Sequence, residues 1–267
     1  MPREIAGFSN PLVKRVRALR DKKGRRAEGL FLAEGLRILT EALDAGRVPV
    51  MLWHTLETGK HKLVERLSIA TEQAGGEVFV TSADILGKLS GKDNPGAVIG
   101  VYDEHWTSLK DLNRDSAPLW IVAERLRDPG NLGTILRTGD ATGAGGLVLI
   151  DDCTDPFSVE AVRASMGALF TQTISKASWP DFLVWLRQGK GQLIGTSLNA
   201  THDYQEPCYD TPAFLLVGNE SQGLPNTYEQ DCDLLVKMPM MGKADSLNAA
   251  MATAVMAYEL LNQRRRR

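Results

Sequence analysis

Cysteine is scarce in this chain and forms no pairing pattern. Cys153, Cys208 and Cys232 stand far apart with no C-x-x-C pair. That excludes a cysteine-based zinc framework and suits a reducing, cytoplasmic compartment. The four histidines, His54, His61, His105 and His202, are equally scattered. Each reads as a surface or packing residue, so no metal is expected. No apolar run is long enough to cross a bilayer and the N-terminus has no signal-peptide core, so no membrane association is expected. No internal repeat or low-complexity block interrupts the chain apart from a C-terminal arginine run. A dinucleotide fingerprint is missing too. Gly139, Gly143, Gly145 and Gly146 precede the apolar run Leu147 to Ile150, whereas the fingerprint needs its glycines after a strand. This counts against a nucleotide-dependent oxidoreductase.

What is present is an ordinary globular balance. The 267 residues are 43% hydrophobic and 24% charged, enough for one large domain or two modest ones. The net charge of -2 hides an asymmetry. Residues 1–26 carry nine basic side chains (Arg3, Lys14, Arg15, Arg17, Arg20, Lys22, Lys23, Arg25 and Arg26) against Glu4 and Asp21, and the chain ends on Arg264 to Arg267. Basic ends on a near-neutral body suit contact with a polyanion. A solvated helix face and a frayed tail explain them as well, and on charge alone the two readings stand level.

The pattern along the chain is α/β. Residues 10–23 read as an amphipathic helix with Leu12, Val13, Val16 and Leu19 on one face, started by a capping Asn10 and Pro11. Extended segments at 29–33, 48–54, 77–81 and 97–102 alternate with helices at 34–45, 60–73 and 82–90, making a small α/β unit. Residues 103–117 are polar and weakly patterned, as a linker. Then come five short apolar runs of the kind buried parallel strands show, at 119–123, 147–150, 193–196, 214–218 and 234–238, with helices expected near 131–142, 158–169, 180–188 and 246–263. The division is 1–26 as a basic extension, 27–102 as the small unit, 103–117 as linker and 118–267 as the second domain.

Three segments carry the chemistry. In the first, a strand ends at Glu124-Arg125, Asp128-Pro129-Gly130 turns the chain, and Asn131 opens a helix that carries Arg137 nearly two turns on. A helix N-terminus suits an anion and an arginine grips phosphate, although an N-cap asparagine and a surface arginine would look the same. In the second, Gly218-Asn219-Glu220 follows an apolar strand and precedes Gly223 and Pro225. Ligands of α/β sheets sit at the carboxyl ends of strands, and a glycine there lets a flat ring approach the backbone. In the third, the run from Met238-Pro239-Met240 to Ser246-Leu247-Asn248 leads into a helix rich in alanine, with Ser246 the natural N-cap. A further segment, Arg163-Ala164-Ser165-Met166-Gly167, offers Ser165 and Gly167 as substrate-facing residues, though helix packing explains Gly167 equally well.

Together and in this order the three segments resemble the motifs of the SpoU (TrmH-like) RNA ribose 2′-O-methyltransferases, a branch of the SPOUT superfamily. The resemblance covers residues 119–263 closely and 27–102 more loosely. It implies a SPOUT-type knotted parallel-sheet catalytic domain, with the smaller N-terminal α/β domain binding RNA substrate. It implies S-adenosylmethionine as cofactor, held by backbone groups around Thr196, Gly218, Met238 and Leu247. It also implies a homodimer whose active site is completed across the interface. Carried over from the family, Arg137 contacts the phosphate beside the target ribose and helps activate its hydroxyl, while Asn131, Glu220, Ser246 and Asn248 orient the reacting groups. Two positions depart from the family pattern: Gly139, where alanine is commoner, and Ser221, where glycine often follows the glutamate. Ribosomal RNA is the expected substrate. Transfer RNA, or a non-catalytic RNA-binding assembly factor on the same scaffold, are the alternatives.

Overall fold

The structure is a computed structural model and describes residues 2–92 and 96–266. The chain divides into two compact units, Met1–His105 with Asp155–Thr171, and Trp106–Thr154 with Gln172–Arg267. Arg267, the last of the terminal arginines, lies outside the described residues.

The first unit runs β1 (Arg3–Ile5), α1 (Pro11–Ala18), α2 (Lys22–Glu28), β2 (Leu30–Glu34), α3 (Leu36–Asp44), β3 (Met51–His54), α4 (Lys62–Gln73), β4 (Glu77–Thr81), α5 (Ala83–Ser90) and β5 (Val98–Asp103). Its sheet has the order β1-β4-β3-β5-β2, with β5 antiparallel to both β3 and β2. The core gathers Trp53 and Phe79, stacked at 4.5 Å, with Ile85, Leu86 and Leu89 of α5 and Val13, Val16 and Leu19 of the N-terminal segment. The amphipathic stretch therefore docks on the unit, and β1 pairs in parallel with β4. Asn10 caps α1 as its position before Pro11 predicts, its Oδ1 accepting from Leu12 N–H at 2.9 Å. The helix expected at 10–23 breaks in two because the chain turns a corner after Ala18. A side chain at Gly24 would stand 2.0 Å from the Ala18 carbonyl oxygen, so only glycine lets α2 pack there. Arg25 is buried at this corner, donating to Asp155 Oδ2 at 2.6 and 3.0 Å and to the carbonyls of Leu19 and Arg20.

The second unit opens with β6 (Leu119–Glu124), α6 (Pro129–Thr142) and β7 (Gly146–Ile150). The chain then gives α7 (Val159–Ser165) to the first unit and returns through β8 (Thr173–Ala177), α8 (Trp179–Leu186), β9 (Gln192–Thr196), β10 (His202–Asp203), β11 (Ala213–Val217), α9 (Asn226–Asp231), β12 (Leu234–Lys237) and α10 (Ala249–Arg266). Seven strands lie in the order β10-β12-β9-β11-β6-β7-β8, all parallel. The five expected apolar runs form its interior. Both edge strands went unread: β8 alternates with Lys176 and β10 is two residues long, so neither presents an apolar run. Trp120, Trp185 and Phe214 meet edge to face in the core, at 5.4 and 5.6 Å. Helix α10 packs against α6, and its buried Ala249, Ala250 and Ala257 permit the close approach. Gly139 of α6 has a packing reason as well: a methyl group there would sit 3.0 Å from Gln172 Oε1 and 3.3 Å from Ile121. Because every strand of this sheet runs the same way, the loops after β6, β9, β11 and β12 leave from one edge.

Leu19 is 1% exposed within the first core. Leu19→Ala should lower stability by about 3 kcal/mol in urea denaturation. A loss below about 1 kcal/mol would mean that the N-terminal helix lies outside the cooperative core.

Candidate active site

The loop after β6 leads into α6 through Asp128-Pro129. Asp128 is the N-cap, its Oδ1 accepting from Asn131 N–H at 2.6 Å, with Pro129 at the first helical position. Asn131, expected to open the helix as its cap, is instead inside the first turn. Its side chain is therefore free to reach across to the other loops. Its Nδ2 donates to Glu220 Oε1 at 3.1 Å, and its Oδ1 accepts from Asn248 Nδ2 at 2.9 Å. Glu220 also accepts from two backbone groups that precede the helix, Arg127 N–H at 3.0 Å and Asp128 N–H at 3.0 Å. Burial alone would raise the Glu220 carboxyl. The hydrogen bonds from Asp128, Arg127 and Asn131 outweigh it and hold the group below the usual carboxylate range.

The relay ends on α10. Asn248 Oδ1 accepts from Ala250 N–H at 2.9 Å and Met251 N–H at 3.3 Å, so Asn248 is the residue that caps this helix. Ser246, expected in that role, lies in the preceding loop and donates to Asp245 Oδ1 at 3.2 Å. The helix starts at Ala249, three residues later than its expected start, because the capping geometry belongs to the asparagine.

Beside the relay lies a cleft of about 420 Å³ at the carboxyl ends of β9, β11 and β12. Thr196, Gly218, Met238 and Leu247, the four expected cofactor positions, all line it, as do Glu220 and Ser246. Gly218 is needed for a reason other than the expected ring contact. A side chain there would stand 2.5 Å from the backbone of Gly223, because the 219–223 turn closes back over the strand end. Asn219 shapes that turn, accepting from Ser221 and Gln222 N–H at 3.0 Å each and donating to the Arg125 carbonyl at 2.9 Å. Asn219 and Asp128 were not among the candidate residues. Asp128-Pro129 repeats the start signal of Asn10-Pro11 and was readable; the reach of Asn219 to a carbonyl 94 residues away was not.

Glu124 closes β6 at 1% exposure. Burial pushes its carboxyl up, opposed by Arg125 and by the N–H of Asn219. Arg137 occupies the exposed face of α6, beyond the relay, and makes no hydrogen bond or ion pair among the described residues. Asn131, Glu220 and Asn248 are thus brought together, Ser246 lies at the cleft, and Arg137 stands apart from the hydrogen-bonded set. Ser165 and Gly167 belong to the first unit. Ser165 is buried with its hydroxyl donating to Val162 O at 2.7 Å, so it faces no substrate. Gly167 has φ 101°, and a side chain there would meet Glu41 Oε2 at 2.3 Å.

Residues 118–258 match the SpoU rRNA methylase family model, and residues 10–100 match a model of the MRM3-like substrate binding domain. The chain belongs to the SpoU rRNA methylase family. An uncharacterised tRNA/rRNA methyltransferase of Synechocystis is 34% identical over 97% of this chain and 93% of the relative. The 23S rRNA (uridine(2479)-2′-O)-methyltransferase of Streptomyces viridochromogenes is 31% identical, over 92% of this chain and 87% of its own length. Among solved structures, an AdoMet-bound rRNA methyltransferase from Sinorhizobium meliloti superposes with a TM-score of 0.90, at 37% identity over 97% of both chains.

A carboxylate whose pKa is lowered on folding adds stability that is present above its unfolded value and is lost as pH falls through the folded one. The ordinary value is about 4.5. Thermal stability of the protein should therefore fall as pH drops below about 4.5, and Glu220→Gln should flatten that dependence while destabilising the protein at pH 7. An unchanged pH profile in the variant, by differential scanning fluorimetry, would remove the ionised carboxylate from the relay.

Proposed function

We propose that this SpoU-family chain transfers a methyl group from S-adenosylmethionine to a ribose 2′-hydroxyl of ribosomal RNA. The observation that carries the reading is the Glu220–Asn131–Asn248 relay beside a cleft lined by Thr196, Gly218, Met238 and Leu247. The cleft suits the cofactor: Val217, Val236 and Met240 offer apolar wall for a purine, and the strand-end backbone offers donors and acceptors for its edges. When bound, the cofactor supplies an electrophilic methyl group on a sulfonium. The protein's part is positioning and charge. Glu220 fixes the Asn131 amide, and Asn131 fixes Asn248, so the three loops hold one geometry. Arg137, with no ion pair or side-chain hydrogen bond among the described residues, contacts the phosphate beside the target ribose and favours loss of the hydroxyl proton as the new bond forms. Ser246 orients substrate at the cleft mouth.

In this reading residues 118–267, apart from the Asp155–Thr171 stretch that packs with the first unit, are the catalytic domain, with the loops of the third motif threaded as a trefoil knot. Residues 103–117 are the linker. Residues 27–102, with the basic segment 1–26, hold RNA. The active protein is a cytoplasmic homodimer. Met251, Val255 and Tyr258 support the dimer: they are exposed at successive turns of α10 and form an apolar face. The named activity of the Streptomyces relative supports ribosomal RNA as substrate.

The test is transfer of radiolabelled methyl from S-adenosylmethionine to size-fractionated unmodified RNA. Label is expected in large ribosomal RNA. Label in transfer RNA would overturn the substrate assignment, and absence of both label and cofactor binding would favour a non-catalytic RNA-binding protein. Arg137→Ala should reduce transfer by about 100-fold or more, the scale of losing one charge-stabilising donor. Its cofactor affinity, by calorimetry, should stay within about twofold, whereas lost cofactor binding would contradict its role.

A further inference from the structure

The first unit carries an open groove of about 1270 Å³ between α1, α5 and α7. Six basic side chains line it: Lys14, Arg17 and Arg20 from the N-terminal segment, Lys88 and Lys92 from α5 and the loop after it, and Arg163 from α7. Asp21, Asp84 and Glu160 are its acidic residues, which leaves an excess of positive charge. Lys92 and Arg163 face Glu34 Oε2 at 2.8 and 3.8 Å. Lys14, Arg17, Arg20 and Lys88 form no ion pair among the described residues. Elsewhere in residues 1–26, Arg3 pairs with Glu77, Arg15 with Glu28 and Arg25 with Asp155, while Lys22, Lys23 and Arg26 lie on α2 outside the groove. The guanidinium of Arg20 lies over Gly91, where a side chain would stand 2.1 Å from its Nη2, so the glycine leaves room for Arg20 at the rim. Phe8, 52% exposed, lines the same groove.

We propose that this groove binds a single-stranded segment of the substrate RNA, its phosphates on Lys14, Arg17, Arg20 and Lys88 and one base stacked on Phe8. The inference rests on the RNA-methyltransferase reading and specifies where the small unit grips. Unpaired cations on a docked helix meet a polyanion without the ordering cost of a mobile tail. An exposed aromatic beside a basic track is the arrangement that suits unpaired bases and leaves duplexes indifferent.

The experiment uses the full chain and two fluorescent probes, a single-stranded oligouridylate and a blunt RNA duplex, with binding followed by anisotropy across salt concentrations. The variant Lys14→Gln/Arg17→Gln/Lys88→Gln should weaken oligouridylate binding and reduce the log–log salt slope by about 2, three contacts at roughly 0.7 each. Lys22→Gln/Lys23→Gln/Arg26→Gln removes the same charge from α2, outside the groove, and should leave the slope unchanged. Phe8→Ala should weaken the single strand about tenfold and leave the duplex unaffected. In methyl transfer the groove variant should raise KM for RNA and keep kcat. An unchanged slope in the groove variant, or an equal change in the α2 variant, would overturn the groove while leaving the methyltransferase reading intact. Competition by polyglutamate as strong as by RNA would overturn it in favour of an acidic protein partner. Wild-type protein that binds neither RNA probe nor S-adenosylmethionine would instead sink the reading on which it rests.

Discussion

The candidate site depends on one carboxylate. Glu220 accepts two backbone N–H groups from the loop before α6 and the side-chain amide of Asn131 in its first turn, and through Asn131 it is tied to the cap of α10. A parallel sheet fixes its strands but leaves the loops at their carboxyl ends to find their own restraint. Here that restraint spans 117 residues between Asn131 and Asn248. The residue types follow from the direction of the bonds. Glu220 receives donors at both oxygens, and a glutamine would set an NH₂ group against an N–H. Asn131 must donate toward Glu220 and accept from Asn248, which an amide does and an aspartate cannot; an aspartate would also face Glu220 with like charge. Asn248 donates to Asn131 and accepts from the first N–H groups of α10. Each member has one chemically sensible identity once its neighbour is set. Bonds to a charged acceptor are stronger than neutral ones, and with the Asn219 amide on the Arg125 carbonyl they order the loops at this sheet edge.

Much of this was legible in the sequence, and the limits have physical causes. The interior strands could be read because a parallel strand covered on both faces is a continuous apolar run, as in Ala213–Val217. Edge strands escape the rule because one side of them is free, and so Thr173–Ala177 did not register. Helix α6 was read, but its cap was assigned three residues late, to Asn131. The asparagine was attractive as a cap for the property that equips it for the relay, a short side chain with a donor and an acceptor. Ser246 and Asn248 were confused for the same reason. Both are capping types, and the choice is made by which side chain the partner loop engages.

Long-range pairing was the part that local pattern could not supply. That Arg25 is buried against Asp155, while Arg17 has no ion pair among the described residues, follows from contacts 130 residues apart. The same holds for Gly218, whose missing side chain is required by the chain's own turn at Gly223 and Leu224. A glycine at a strand end signals close approach, but the sequence does not say whether a ligand or backbone is the approaching body.

Net charge is a poor descriptor of such a chain. A total of -2 describes a nearly neutral protein, yet a ligand senses only charges within a Debye length of about 8 Å at physiological salt. What matters is which cations are already neutralised nearby. Three of the nine basic side chains in the first 26 residues are matched by Glu77, Glu28 and Asp155, and three face the groove without such a match. A lysine beside a carboxylate contributes little field beyond it, while unmatched cations converging on one groove add their potentials. The basic segment thus combines two jobs in one stretch of sequence. Its buried Val13, Val16 and Leu19, with the buried Arg25–Asp155 pair, fasten it to the domain, and that fastening turns the remaining cations from a solvated tail into a fixed surface.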